Sequence, residues 1–87
     1  MEIEYTEQAQ DDLKFWKKSV NKSVQNKIVK LLDAILENPY EGIGKPEALK
    51  HELTGKWSRR ITAEHRIIYV VIDSIIFIQS LKGHYLF

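Results

Sequence analysis

The sequence contains no cysteine, and only four glycines and two prolines interrupt its 87 residues. The absence of cysteine excludes a disulfide framework and any metal site built on thiolates. Few glycines and prolines, together with a hydrophobic content of 44%, indicate a compact globule rather than a disordered segment. At this length we expect a single domain, residues 1–87, that buries about 60–65% of the surface its unfolded chain exposes.

Long apolar runs and a leader sequence are also lacking. The longest apolar run is far shorter than a membrane span, so we expect no membrane segment. The N-terminus alternates polar and apolar residues instead of placing an apolar run after a charged one, so we expect no signal peptide. These features favour a soluble protein in a reduced, cytoplasmic setting.

Patterns that bind metals or phosphate-containing cofactors are weak or missing. None of the three histidines, His51, His65 and His84, has a second ligand at the spacing of a helical zinc motif. The Gly-Ile-Gly pattern at residues 42–44 lacks the third glycine of a dinucleotide-binding loop, and no Gly-Lys-Ser/Thr follows it. We therefore expect no metal and no cofactor, and structural roles for His51 and His65.

Hydrophobic periodicity predicts two amphipathic helices near the N-terminus. Apolar residues recur at helical spacing over about residues 7–18 and again over about residues 20–37. Thr6 is placed to cap the first helix, and either Ser19 or Asn21 lies at the start of the second. An Asn-Pro pair then stops the second helix, because the residue before proline avoids the helical conformation.

Strands are predicted on both sides of this helical hairpin. Residues 1–5 alternate in polarity, and later segments alternate or are rich in β-branched residues. Three later strands are expected at residues 57–61, 66–72 and 75–81, and residues 48–53 offer a brief additional strand that the order leaves out. The resulting order, β-α-α-β-β-β, predicts an α+β fold in which two helices pack on one face of an antiparallel sheet.

Positive charge is concentrated in one segment of a chain whose net charge is only +1. Residues 45–66 carry six basic and three acidic residues, whereas residues 1–44 carry six basic and eight acidic ones. Because this basic segment coincides with predicted β-structure, we expect an anionic partner there, with nucleic acid as the first candidate.

Cleavage of RNA without a metal needs side chains of the types found in this segment and near the C-terminus. A base removes the proton from a 2′-hydroxyl, an acid protonates the departing 5′-oxygen, and a cation stabilises the phosphorane between them. Glutamate, histidine and arginine supply these functions. An aromatic side chain can in addition stack on a splayed base.

The segment from Lys45 to Tyr69, with the His84-Tyr85 pair, closely resembles the YoeB/Txe family of bacterial toxins in the RelE-like superfamily. The resemblance extends over essentially the whole chain. It rests on Lys45, Pro46, Glu47, Leu49, Lys50, His51, Leu53, Gly55, Trp57, Ser58, Arg59, Arg60, Ile61, Thr62, Glu64, His65, Arg66, Tyr69, His84 and Tyr85. It implies a RelE-like fold, similar to that of microbial ribonucleases, and a toxin of a type II toxin–antitoxin system.

By that resemblance the protein would be an mRNA interferase that cleaves mRNA in the ribosomal A site. Glu47 would be the general base and His84 the general acid. Arg66 would stabilise the phosphorane, and Tyr85 would place the nucleotide. The residues implied to hold phosphates are Lys50 and Arg59 or Arg60. The family also implies a YefM/Axe-like antitoxin that masks the site, a homodimer, and contacts with the ribosome and mRNA.

Two other functions fit part of the same pattern. A non-catalytic module would use the basic sheet to bind RNA, a ribosome or an antitoxin, and only the joint presence of Glu47, Arg66 and His84 favours the enzyme over it. A DNA-binding regulator would need a recognition helix, but the polar face of residues 20–37 mixes lysines with acidic residues.

Several residues also have simpler interpretations when taken singly. Arg66 at the start of a strand is suited to an ion pair with Glu64 or Asp73. Trp16 and Trp57 are expected to pack rather than to stack on bases. The two consecutive arginines at residues 59 and 60 point to opposite faces of their strand, so both cannot line one groove, and the sequence leaves open which of them meets the helices.

Overall fold

The computed structural model describes residues 1–83, in which two helices pack on one face of a five-stranded sheet. The elements are β1 (Glu2–Tyr5), α1 (Glu7–Lys18), α2 (Lys22–Glu37), β2 (Glu47–Ala48), β3 (Lys56–Arg60), β4 (Arg66–Ile72) and β5 (Ile75–Ser80). The predicted α+β class and the order β-α-α-β-β-β are confirmed. Among these residues, no helix combines the length and the apolar character needed to cross a membrane.

The sheet is mixed, with the strand order β1-β5-β4-β3-β2. Strands β2 to β5 pair antiparallel with their neighbours, whereas β1 runs parallel to β5, with Glu2 opposite Ile75 and Tyr5 opposite Ile78. The prediction of an antiparallel sheet is therefore right for four strands and wrong for β1. Alternation in sequence shows which side of a strand is buried, but it carries no information on the direction of the neighbouring strand.

Both helices begin at capping side chains. The Thr6 hydroxyl accepts a hydrogen bond from the Ala9 N–H at 3.1 Å and donates one to the Gln79 carbonyl at 3.0 Å, so it both caps α1 and ties it to β5. The Asn21 side chain accepts from the Val24 N–H at 3.1 Å. The structure thus confirms Thr6 as a cap and selects Asn21, of the two candidates, for α2.

The predicted strand at residues 48–53 is wrong. Strand β2 is limited to Glu47–Ala48, and His51–Leu53 forms a single 3₁₀ turn. His51 has a positive φ of 59°, which an extended strand does not allow. The turn is closed by Thr54, whose N–H and hydroxyl both donate to the His51 carbonyl, at 3.1 and 2.6 Å.

The core lies between the helices and one side of the sheet. Its buried members are Ala9, Trp16, Val24, Ile28, Leu31, Ile35, Ile61, Ile67, Tyr69, Ile76, Ile78 and Leu81. Trp16 is confirmed as a packing residue, and Tyr69 is fully buried. The opposite side of the sheet, called the open face from here on, carries the residues that alternate with these core positions.

Candidate active site

The open face brings together polar side chains from three neighbouring strands. Ser58 and Arg60 of β3 lie on it, because Arg59 between them points into the layer between sheet and helices. The strand register places Glu47 of β2 opposite Ser58 and Arg66 of β4 opposite Arg60. Glu47 and Arg66 therefore lie on the same face of the sheet, on either side of β3.

Ser58 occupies the position between the carboxylate and the guanidinium. It is fully buried, whereas Glu47 is exposed and Arg66 is half-buried. The Arg66 Nη1 donates a long hydrogen bond of 3.5 Å to the Ser58 hydroxyl, a distance at which such a bond is weak. Ser58 was not among the predicted site residues, although its alternation phase, shared with Arg60, indicates the open face.

Basic side chains lie on the open face or in the segment that follows Glu47. Arg60 and Lys50 are exposed, and Lys50 directly precedes the 3₁₀ turn. Lys56 lies on the same face of β3, one alternation step from Ser58, although the sequence interpretation did not select it. Together with Arg66, these side chains give the open face a positive potential suited to a phosphate backbone.

Arg59 cannot take the phosphate-binding role predicted for it. Its side chain is 0% exposed, and its guanidinium is fully engaged inside the protein. Its Nε donates to the Tyr69 hydroxyl at 3.1 Å and its Nη1 to the Ile43 carbonyl at 3.1 Å. Its Nη2 donates to the carbonyls of Asn38 and Glu41. The prediction for Arg59 is wrong because this arginine holds the loop at residues 38–44 against the sheet.

Tyr69 extends this buried network. Its hydroxyl donates to the Pro39 carbonyl at 2.6 Å while accepting from Arg59. Burial raises the pKa of the Tyr69 hydroxyl, and the hydrogen bond and charge of Arg59 oppose that rise, while nearby Tyr40 adds to it. Gly44 closes the loop at a φ of +83°, where a Cβ would lie 2.6 Å from Leu31 Cδ2. The loop that leads into Glu47 is thus fixed from the helix side of the sheet.

The remaining predicted catalytic residues, His84 and Tyr85, lie outside the described residues. The segment that precedes them reaches the start of β4, where the Arg66 N–H donates to the Gly83 carbonyl at 3.1 Å. His65 has the structural role expected of it, since its Nδ1 accepts from the Gly83 N–H at 2.8 Å. Within residues 1–83, no group of three or more histidine or acidic side chains is placed to hold a metal ion.

Comparison with known proteins decides the family. Residues 5–85 match the family model of the YoeB-like toxin of bacterial type II toxin-antitoxin systems. The chain belongs to the YoeB family. Toxin YoeB from Escherichia coli K12 is 42% identical over 85 residues, which cover 98% of this chain and 100% of that protein. The resemblance inferred from the Lys45 to Tyr69 segment is confirmed, and the chain is a toxin of the type II class.

Solved structures of YoeB relatives have the same fold. The YoeB/ParE toxin from Agrobacterium tumefaciens superposes with a TM-score of 0.91 at 38% identity, covering 98% of this chain and 100% of that one. YoeB from Staphylococcus aureus is 46% identical, with 98% of each chain covered. Its TM-score is 0.86 for the YoeB dimer and 0.85 for the heterotetrameric YoeB–YefM complex. The two-helix, five-strand architecture is thus the YoeB fold.

Proposed function

We propose that the protein is an mRNA interferase, a ribosome-dependent endoribonuclease that inhibits translation by cleaving mRNA in the A site. The observation that carries this proposal is the position of Glu47 and Arg66 on one open face, on either side of Ser58. An RNA strand bound on this face would then have its sugar-phosphate backbone next to both a carboxylate that can accept a proton and a cation that can stabilise a phosphorane. Membership of the YoeB family supports the same activity.

The reaction is a transesterification within the RNA. Glu47 takes the proton of the 2′-hydroxyl, and the 2′-oxygen attacks the adjacent phosphorus. Arg66 stabilises the phosphorane, and His84 protonates the 5′-oxygen as the phosphorus–5′-oxygen bond breaks. The products are a 2′,3′-cyclic phosphate and a 5′-hydroxyl end. Each proton-transfer group typically increases the rate of cleavage by about 10²–10⁴-fold.

The other residues bind and place the RNA. Tyr85 positions the nucleotide at the cleaved bond, as an aromatic ring that stacks on a base would do. Arg60, opposite Arg66 in the sheet, and Lys50, exposed just after β2, hold phosphates of mRNA or ribosomal RNA. Arg59 is excluded from this set because its guanidinium is buried.

Partners follow from the family. YoeB from Staphylococcus aureus is described as a dimer and as a heterotetrameric complex with YefM. By extension, this protein forms a homodimer, and a YefM-like antitoxin masks its site until it is released in the cytoplasm. Masking by a partner is consistent with the described residues, in which both helices pack on the core side of the sheet and leave the open face for a partner.

The proposal is tested by inducing the wild type and the Glu47→Ala/His84→Ala double variant in a bacterial host, with mRNA cleavage mapped by primer extension. The wild type should arrest growth and cut within translated reading frames, and the double variant should do neither. Glu37→Ala is the matched control, because it removes an exposed carboxylate at the far end of α2 and should remain fully toxic.

The same experiment separates the rival function. If the wild type and the double variant both arrest growth without cleavage, the protein blocks ribosomes by binding alone. In that case the proton-transfer roles of Glu47 and His84 are wrong, and the chain is a non-catalytic binding module.

A further inference from the structure

The three residues that follow β5 are held from two sides. The Leu81 N–H donates to Asp12 Oδ2 at 2.8 Å, and the Leu81 carbonyl accepts from Trp16 Nε1 at 2.8 Å. The Gly83 N–H donates to His65 Nδ1 at 2.8 Å. Each of these bonds joins a side chain from elsewhere in the protein to the backbone of the segment, so the segment's own side chains are not needed to hold it. Asp12, Trp16 and His65 are called the clasp below.

The α1 part of the clasp places a carboxylate where carboxylates are rarely found. Asp12 is only 4% exposed, and its second oxygen accepts from Gln8 Nε2 at 2.8 Å. Burying a carboxylate is unfavourable unless it is well hydrogen-bonded, so a position that served packing alone would be better filled by an apolar residue. Asp12 and Trp16 are four residues apart, and therefore face the same side of α1, over the end of β5.

The part of the clasp that precedes β4 depends on one ring nitrogen of His65. His65 Nδ1 accepts a hydrogen bond from the Gly83 N–H, which uses the lone pair of this ring nitrogen. The ring is held edge-on to Trp16, with centroids 4.9 Å apart and an interplanar angle of 85°. The same tryptophan therefore orders both Leu81 and the imidazole that binds Gly83.

The clasped segment ends beside the candidate catalytic pair. The Gly83 carbonyl accepts from the backbone N–H of Arg66, and Gly83 has a φ of +79°, a conformation that favours glycine. Position 84 follows it directly in the sequence. The point from which the C-terminal residues start is thus set relative to Arg66 by the clasp.

We propose that Asp12, Trp16 and His65 are positioning residues of the active site, which fix Leu81–Gly83 so that the following residue, His84, meets the scissile phosphate held by Arg66. This inference rests on the proposed function, in which His84 is the general acid. A proton donor displaced by about 1 Å loses on the order of 10²-fold in rate.

A pair of variants at His65 separates the hydrogen bond from the packing. His65→Phe keeps an aromatic ring against Trp16 but removes the acceptor for the Gly83 N–H. His65→Asn loses the ring but places its Oδ1 close to the former position of Nδ1. The measurement is single-turnover cleavage of mRNA on programmed ribosomes, with the toxin concentration varied. Exchange of the Gly83 amide proton, followed by NMR, reports on the bond itself.

The expected result is a loss of rate without a loss of ribosome binding. His65→Phe should slow cleavage at saturating toxin by about 10-fold to 10²-fold and leave the half-saturating concentration unchanged. His65→Asn should retain most of the wild-type rate and a protected Gly83 amide. Ile28→Val trims a buried methylene in α2 and controls for destabilisation alone, so it should cleave at the wild-type rate.

Asp12 provides a second pair if His65→Phe fails to fold. Asp12→Asn can still accept the Leu81 N–H once the Gln8 amide turns its oxygen toward the new NH₂ group, whereas Asp12→Leu cannot. We expect Asp12→Leu to slow cleavage and Asp12→Asn to restore it.

Two outcomes would overturn the inference while leaving the proposed function intact. In one, the wild type cleaves and His65→Phe cleaves equally fast. In the other, His65→Phe and His65→Asn lose the same rate, which would mean that an acceptor for the Gly83 N–H does not restore cleavage. If instead the wild type binds ribosomes without cleaving, the proposed function itself fails, and the positioning role fails with it.

Discussion

Arg59 and Arg60 are consecutive in the chain, carry the same side chain, and have opposite surroundings. Arg59 points toward the helices and is surrounded by the Tyr69 hydroxyl and three backbone carbonyls. Arg60 points to the open face and is exposed. Because successive side chains of a strand point to opposite faces, one arginine has a structural role and the next is a candidate phosphate ligand.

The two faces of the sheet differ in the same way. On the helix side, polar groups are paired with other groups of the protein, and the loop at residues 38–44 is fixed by them. On the open face, Glu47 and Arg60 are exposed and available to a binding partner. The difference predicts that changes on one face alter stability and changes on the other alter activity.

The largest expected effect is on the helix side, at Arg59→Ala. Several buried acceptors would lose their donor, each at about 1–3 kcal/mol, so the free energy of unfolding should fall by about 3–4 kcal/mol in total. Arg59→Lys should recover little, because one ammonium group cannot reach acceptors arranged around a planar guanidinium. Urea unfolding followed by tryptophan fluorescence measures the change. Arg60→Ala is the matched control and should stay within about 0.5 kcal/mol of wild type.

Arg66→Ala should show the reverse behaviour on the open face. Loss of the cation that stabilises the phosphorane should reduce the cleavage rate by about 10²–10³-fold. The free energy of unfolding should change less than for Arg59→Ala, since the Arg66 side chain is only half-buried. Single-turnover cleavage and urea unfolding of the same preparation test both halves. A variant that lost stability but kept its rate would contradict the division between the faces.

Arg60→Ala and Lys50→Ala should have a smaller effect, on binding. Each removes one phosphate contact, so the slope of log affinity against log salt concentration should become shallower by about 0.7 for a single-stranded site. Ribosome binding measured at several salt concentrations gives this slope. Lys30→Ala, an exposed lysine of α2 on the other side of the molecule, should leave it unchanged. A slope unaltered by Arg60→Ala would exclude a phosphate contact there.

The smallest expected effect is on the free energy of unfolding at alkaline pH, through tyrosines buried on the helix side. Burial raises the pKa of Tyr69 and of Tyr5 above the ordinary value of 10.0. Above pH 10 the unfolded chain therefore loses protons that the folded protein keeps, and stability falls with rising pH, by at most about 1.4 kcal/mol per pH unit for each tyrosine. Tyr69→Phe should have a shallower alkaline decline than wild type in urea titrations. An identical decline would mean that Tyr69 ionises equally easily in both states.

The sequence predicted the elements of the fold better than their arrangement. Thr6 and Asn21 mark helix starts through local chemistry that the tertiary structure leaves intact. The parallel pairing of β1 depends on contacts with β5, about the length of the chain away, which no local pattern encodes. The 3₁₀ turn at His51 required a positive φ at a residue type that rarely adopts it.

The candidate site was predicted in part for similar reasons. Glu47 and Arg66 could be named from the family resemblance, and the register brings them to one face. The sequence left open which of Arg59 and Arg60 meets the helices, because only the packed helices show which side of β3 is inside. The burial of Asp12 could have been predicted from the sequence, because it lies at helical spacing from Ala9 and Trp16, on the buried side of α1.

The parallel pairing of β1 with β5 also bears on when the protein can fold. Contacts such as that between Thr6 and Gln79 close a loop of 73 residues, which gives the fold a high contact order and makes its formation slow relative to a helical bundle of this size. Strand β5 sits between β1 and β4, so a nascent chain that lacks β5 cannot assemble the sheet. The sheet can therefore close only after residues 75–80 have been synthesised, which is late in the translation of the described residues.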